Sequence, residues 1–167
     1  TAYKMKESLT IVVPIYNEEE NIERLCKELN DFVKKSIIET QILFINDGSN
    51  DNSEKLINNQ CSTNDKFRLL SFKKNSGLSA AIKAGFDYTN TSLVGYIDAD
   101  LQTDPEDFNL LLNKISDYDL VTGVRTKRKD SLVKNISSFI ANSIRRLFTN
   151  DNVDDTGCPL KIIKTSF

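Results

Sequence analysis

The 167-residue chain contains no histidine and no tryptophan. Without histidine there is no Ser-His-Asp or Cys-His machinery and no His-ligated metal. An enzyme of this composition must work with carboxylates, Arg and Lys, joined where needed by a hard metal ion. Cysteine is scarce: Cys26, Cys61 and Cys158 are an odd number with no CxxC spacing. That argues against a disulfide framework or a zinc knuckle, and for a reducing cytoplasm. No apolar run approaches the ~20 residues of a membrane span. The polar stretch from Thr1 to Ser8 does not read as a signal peptide. Two formal glycosylation sequons, Asn90-Thr91-Ser92 and Asn135-Ile136-Ser137, carry no meaning in a cytoplasmic protein. There is no internal repeat, low-complexity tract or clear linker, so residues 1–167 read as one domain.

Hydrophobic residues make up 39% of the chain and charged residues 28%, the balance of a globular protein rather than a disordered one. The net charge of −2 hides an asymmetry. Between Arg125 and Arg146 stand Arg125, Lys127, Arg128, Lys129, Lys134, Arg145 and Arg146 against Asp130 alone. That segment is +6 and the remainder −8. A basic patch on an acidic protein suggests an anionic partner (phosphate, lipid headgroup or nucleic acid) or a solvated helix face.

Short apolar runs alternate with amphipathic stretches. Strands are expected at Leu9–Ile15, Gln41–Asn46, Phe67–Phe72, Leu93–Ile97 and Asp119–Val124, the β-branched runs being the clearest. Helices are expected from Glu18 to Lys35, Asp51 to Asn59, Leu78 to Tyr88, and Ser131 to Phe148. Another is expected from Pro105 to Ile115, opened by its proline. This alternation implies an α/β fold of βαβ units, a mostly parallel sheet flanked by helices on both faces. Ligands of such sheets lie beyond the carboxyl ends of the strands. Those positions hold Tyr16-Asn17-Glu18, Asp47-Gly48-Ser49, Asn75-Ser76-Gly77, Asp98-Ala99-Asp100 and Arg125.

Asp98-Ala99-Asp100 puts two carboxylates at a strand end, with Gln102 two residues on. Such an oxygen-rich corner suits Mg²⁺ or Mn²⁺, which commonly binds one or two carboxylates plus substrate phosphates. Alternatively, it is a solvated turn. Asp47-Gly48-Ser49 likewise reads either as a turn or as an acceptor for a nucleobase or ribose.

Taken together and in order, these segments resemble a known family. The motifs are Val12-Val-Pro-Ile-Tyr-Asn-Glu18, Asn46-Asp-Gly-Ser49, Asn75-Ser-Gly77 with Gly85, Asp98-Ala-Asp-Leu-Gln102 with Pro105-Glu106, and Thr122-Gly-Val-Arg125. They resemble the family 2 inverting glycosyltransferases of GT-A (Rossmann-like) fold. Arg125–Ser131, Ser137 and Ser138 with Asn142, and Asp155–Lys161 extend the likeness to the dolichyl-phosphate mannose synthase-like branch, the polyprenyl-phosphate sugar transferases.

The resemblance implies transfer of a hexosyl group from a UDP- or GDP-sugar to a polyprenyl (dolichyl or undecaprenyl) phosphate, assisted by Mg²⁺ or Mn²⁺. The work would be done at the cytoplasmic face of a membrane, with no nucleic acid involved. Pro14, Tyr16, Glu18, Ile45, Asp47 and Gly77 would line the nucleoside pocket, Ile45 through its backbone. Ala99 and Asp100 would meet the diphosphate, and Asp100 with Gln102 would hold the metal. Asp98, Asp155 and Arg125 would be the catalytic set, and Arg128, Lys129 and Ser137 would serve the acceptor phosphate or the bilayer. Asn46 stands where the family often has Asp, and is given no strong role. The likeness also implies that the chain is the front part of a longer protein. Two rival readings are a family 2 transferase with a sugar hydroxyl acceptor, for polysaccharide or glycan synthesis, and a non-catalytic nucleotide-sugar binding module.

The lack of histidine is compatible with this chemistry. A phosphate monoester loses its second proton near pH ~6, so at neutral pH the nucleophile is already largely ionised. A sugar hydroxyl would need a base more urgently.

Overall fold

The computed structural model describes residues 7–124 and 158–165. The chain divides into two compact units, Thr1–Val121 with Pro159–Phe167, and Thr122–Cys158. The elements below belong to the first, except for the last residue of β5.

The elements run β1 (Ser8–Ile15), α1 (Ile22–Lys35), β2 (Glu39–Asn46), α2 (Ser53–Thr63), β3 (Phe67–Ser71), α3 (Leu78–Tyr88), β4 (Leu93–Tyr96), α4 (Phe108–Leu112), β5 (Leu120–Thr122) and β6 (Lys161–Lys164). They build one six-stranded sheet in the order β3-β2-β1-β4-β6-β5. β1 pairs in parallel with both β2 and β4, and β2 with β3. β6 runs antiparallel to β4, with Tyr96 opposite Lys161. The sheet is thus mostly parallel and flanked by helices, as the alternating pattern predicts.

The interior strands read as unbroken apolar runs because both faces are covered. Leu9, Ile11, Val12 and Val13 of β1 are fully buried, as are Ile42, Phe44 and Ile45 of β2. On one face, Val12, Leu43, Ile45 and Val94 pack against Ala81 of α3. α3 approaches so closely that a Cβ on Gly85 would lie 2.3 Å from Cγ1 of Val12. On the other face, a Cβ on Gly95 would lie 2.9 Å from the Phe108 ring. Phe108 in turn meets Phe32 of α1, with ring centroids 5.8 Å apart. Cys26 of α1 is buried; burial first, and then neighbouring Cys61, pushes its thiol pKa up to about 12. It is an inert core side chain.

The chain leaves β1 outward through β2 to β3, then returns by α3 to place β4 on the other side of β1. The loops after β1 and β4 therefore diverge at a switch point, where open α/β sheets bind ligands.

Several boundaries differ from the sequence-based expectation. The first helix begins at Ile22, not Glu18, because Asn17 to Asn21 form a loop, with Asn17 at φ +54°. The second helix spans Ser53–Thr63 rather than Asp51–Asn59. The helix expected from Pro105 to Ile115 is three short pieces: a 3₁₀ turn at Pro105–Asp107, α4, and another 3₁₀ turn at Ile115–Asp117. Its start is as foreseen, with Pro105 at the first position and Asp104 Oδ1 accepting the Glu106 N–H at 2.9 Å. β6 was not anticipated: four residues alternating Lys-Ile-Ile-Lys give too short a pattern. The helix expected at Ser131–Phe148 lies outside the described residues.

Candidate functional site

A cleft of about 310 Å³ opens at the carboxyl ends of β1, β2 and β4. Pro14, Ile15, Tyr16 and Glu18 form the side contributed by β1 and the loop after it. Asp47 follows β2; Asn75, Gly77, Leu78 and Ala81 come from the start of α3; and Asp98, Ala99 and Asp100 follow β4.

The β1 and β2 loops are laced together. The Asn17 N–H donates to Ser49 Oγ at 3.0 Å, the Glu18 N–H to Ser53 Oγ at 2.9 Å, and the Glu19 N–H to Asp51 Oδ2 at 3.1 Å. In return Asn17 Oδ1 accepts the Asn50 N–H at 2.8 Å, and Glu19 Oε2 accepts the Asn52 N–H at 2.8 Å. This reciprocal pattern explains why the residues after Glu18 do not join the helix: their polar groups are committed to the neighbouring loop. For Asp51, burial is the largest single influence and raises the carboxyl pKa, but the hydrogen bonds from Ser53 and the Glu19 backbone together outweigh it and hold it below the usual range.

Asp47 is buried at 3% exposure and ties β2 to α3. Its Oδ1 accepts the Ser76 N–H at 2.7 Å and its Oδ2 the Gly77 N–H at 2.9 Å. Gly48 follows at φ +66°, and a Cβ there would lie 2.4 Å from the Lys74 carbonyl carbon. Glycine is required both by that backbone angle and by the passing chain. Gly77, at φ +91°, sets the α3 entry, its carbonyl accepting the Ala80 and Ala81 N–H groups.

The third corner is Asp98-Ala99-Asp100. Ile97 and Ala99 are buried, which leaves the two carboxylates aimed away from the core. The Asp98 Oδ1 accepts a hydrogen bond from the Tyr96 phenol. The Asp100 Oδ1 accepts the Gln102 N–H at 3.0 Å. Between them Leu101 sits at φ +60°, a left-handed backbone that costs a bulky residue about 1–3 kcal/mol. That turn brings the Gln102 amide back onto Asp100. Burial, then the hydrogen bond to Asp98, then the charges of Asp98 and Asp100 all push the Tyr96 pKa up, so the phenol remains a donor.

Among the described residues the cleft lining carries Glu18, Asp47, Asp98 and Asp100 and no lysine or arginine. An acidic cleft of this kind accepts an anionic ligand only together with cations. Asp98 Oδ2 and Asp100 Oδ2 have no hydrogen-bond partner among the described residues. No group of three or more His, Cys, Asp or Glu side chains forms a metal cage among those residues. A divalent ion that takes one or two carboxylates and completes its shell with phosphates and water fits this donor set.

The model of the family described as Glycosyl transferase family 2 matches residues 10–166. The chain belongs to glycosyl transferase family 2. It is 34% identical over 157 residues to an undecaprenyl-phosphate 4-deoxy-4-formamido-L-arabinose transferase of Pectobacterium atrosepticum, covering 93% of this chain and 48% of the relative. The chain thus spans about half the length of that curated relative. Among solved structures it resembles glucosyl-3-phosphoglycerate synthase of Mycobacterium tuberculosis, in complex with Mn²⁺ and UDP-glucose, at a TM-score of 0.72 and 16% identity. That match covers 95% of this chain and 56% of the other. A mannosyltransferase of Pyrobaculum calidifontis in complex with GDP-Man and Mn²⁺ is similar at a TM-score of 0.65 and 16% identity, over 96% of this chain and 45% of that one. These likenesses give the GT-A fold.

Of the positions that the family resemblance singles out, Pro14, Tyr16, Glu18, Asp47, Gly77, Asp98, Ala99 and Asp100 line this one cleft. Ile45 is not among the lining residues: its side chain is fully buried in the core beneath α3, and the contact expected of it is through its backbone. Gln102 stands outside the lining, and its backbone N–H is what meets Asp100. Asn46 is a turn-former, its Oδ1 accepting the Ser49 N–H at 3.0 Å. Arg125, Arg128, Lys129, Ser137 and Asp155 lie outside the described residues. Leu78, 54% exposed on the cleft rim, and Tyr96 were not singled out from the sequence. Leu78 read there as a helix start. Tyr96 read as strand core, although its two-residue spacing from Asp98 on a strand was a usable signal.

Proposed function

We propose that this chain is the catalytic domain of an inverting glycosyltransferase that moves a hexosyl group from a nucleoside-diphosphate sugar to a polyprenyl phosphate. The carrying observation is the single cleft that gathers the family's donor-side residues at the switch point of the sheet. The likeness to an undecaprenyl-phosphate sugar transferase over 93% of the chain supports the lipid acceptor.

In this reading Pro14, Tyr16 and Glu18 hold the nucleoside from the β1 side. Asp47 contributes both as a contact and as the clamp of the Ser76–Gly77 turn. Asp100 and Gln102 hold the divalent ion, Mg²⁺ or Mn²⁺, which neutralises the leaving diphosphate when bound. Asp98 completes that corner beside the donor. Arg125 faces phosphate, and Asp155 orients the acceptor. Arg128, Lys129 and Ser137 receive the acceptor phosphate, and the basic segment from 125 to 146 rests on an anionic cytoplasmic membrane face. Among the described residues no helix is long and apolar enough to cross a membrane.

The nucleophile is the phosphate oxygen, already ionised, so attack at the anomeric carbon needs orientation more than a strong base. A sugar hydroxyl acceptor is the alternative; the +6 segment favours phosphate.

Calorimetry with UDP and with GDP, with and without Mn²⁺ or Mg²⁺, tests the donor half. One nucleotide should bind, and more tightly with metal; binding of neither would overturn the reading. Polyprenyl phosphate and labelled donor given to the full-length protein test the acceptor. Label only on free sugars or glycans would transfer the assignment to a hydroxyl acceptor.

A further inference from the structure

We propose that Tyr96 is the positioning residue of the Asp98 carboxylate, holding it for a metal-supported nucleotide. The assay of this proposal rests on the donor reading above; its geometry does not.

Tyr96 is the last residue of β4 and is 8% exposed. Gly95 faces Phe108 and Val94 faces the α3 side, so the alternation of the strand sends Tyr96 to the α3 side with Val94. Two residues on, Asp98 lines the cleft, and its Oδ1 accepts the Tyr96 O–H. No other donor to Asp98 is found among the described residues. Its surroundings are otherwise adverse, since Glu18, Asp47 and Asp100 line the same cleft with no cation among the described residues. Without a fixed partner, a carboxylate so placed would swing toward water and away from its like-charged neighbours.

A phenol is the suitable donor here. It carries no formal charge to cancel that of the carboxylate, and in this setting it keeps its proton. It also leaves Asp98 Oδ2 available to a ligand, so that among the described residues each carboxylate of the pair has one oxygen anchored by the protein and one without a partner.

The opposite relation, in which Asp98 merely satisfies a buried phenol, predicts a different outcome. Tyr96→Phe would then remove both needs together and leave the site unchanged. The decisive experiment compares the parent, Tyr96→Phe, Asp98→Asn and the double variant. Calorimetry would use UDP and GDP, each with Mn²⁺ and each with EDTA.

Tyr96→Phe keeps the ring and should melt close to the parent. It should weaken Mn²⁺-supported binding about 10-fold and leave binding in EDTA unchanged. In the Asp98→Asn background it should add no further loss, since its effect runs through that carboxylate. Equal affinity of parent and Tyr96→Phe in Mn²⁺ would overturn the proposal alone. So would losses that add across the two variants, or that are equal in EDTA, because a packing role behaves that way. If neither nucleotide binds the parent, the donor reading falls and takes this proposal with it.

Discussion

The two ends of the sheet each carry a hollow, and they are built on opposite plans. At the amino ends of the strands, a hollow of about 390 Å³ is larger than the cleft at the carboxyl ends and is lined by Thr10, Glu39, Gln41, Lys66, Arg68 and Thr91 among others. Its polar groups serve one another. Gln41 Nε2 donates to Thr10 Oγ1 at 2.9 Å, Thr10 and Thr91 share a hydroxyl contact at 2.7 Å, and Thr91 Oγ1 donates to the Leu93 carbonyl at 2.7 Å. Lys66 meets Glu39 at 3.3 Å. At the carboxyl ends the cleft is smaller, more apolar in its walls and, among the described residues, lined by four acids with no cation. Among the described residues, acidic charge without a cation on a preorganised frame is what sets the carboxyl end apart.

The comparison can be broken at either end. The largest effect is expected from Asp100→Ala, which should weaken Mn²⁺-supported nucleotide binding by about 100-fold or more and abolish the difference between metal and EDTA. Metal enhancement surviving in that variant would show that the charge of this end is compensated elsewhere. Gly48→Ala comes next. A Cβ in a left-handed residue, 2.4 Å from backbone carbon, should cost about 2–3 kcal/mol in urea unfolding and loosen the Asp47 corner with it. Thr10→Val, at the other end, interrupts the hydroxyl chain. It should cost about 1 kcal/mol of stability and leave nucleotide affinity at the parent value. A loss of affinity there would mean that the two ends communicate. Lys66→Ala should be the smallest, within about 0.5 kcal/mol, because its ion pair is exposed.

The fold was legible where one rule dominates. Leu9 to Ile15 and Gln41 to Asn46 are strands because nothing polar interrupts them, and the switch point follows from their order. The site was legible because its residues stand at strand ends. What escaped depends on long-range geometry. Glu18 and Glu19 look like a first helical turn until the loop after β2 arrives to bond them. Asn109 to Ile115 looks like a continuing helix, but the chain turns in 3₁₀ geometry at Ile115 and reaches β5 instead. Lys161–Lys164 gains its strand character from the strands on either side of it, β4 and β5. Tyr96 shows its role only when its phenol is seen on Asp98.

The acid response of the carboxyl end of the sheet follows from Asp51. Its folded pKa lies below the unfolded one, so the stability it adds is full above the unfolded value and is lost as pH falls through the folded value. Acid unfolding monitored by amide exchange should therefore release the Asn17–Glu19 and Asn50–Ser53 amides before those of β1 and β2. Asp51→Asn should remove that early phase.

The lacing of those two loops has a consequence for how the protein breathes. Each loop supplies both donors and acceptors to the other, so neither can detach while its partner stays ordered. Their amides should exchange with deuterium as one cooperative unit with a single opening free energy, rather than as two independently fraying ends. The β1 side of the cleft then has two states, assembled or released, and a ligand that touches only Tyr16 would protect amides as far away as α2.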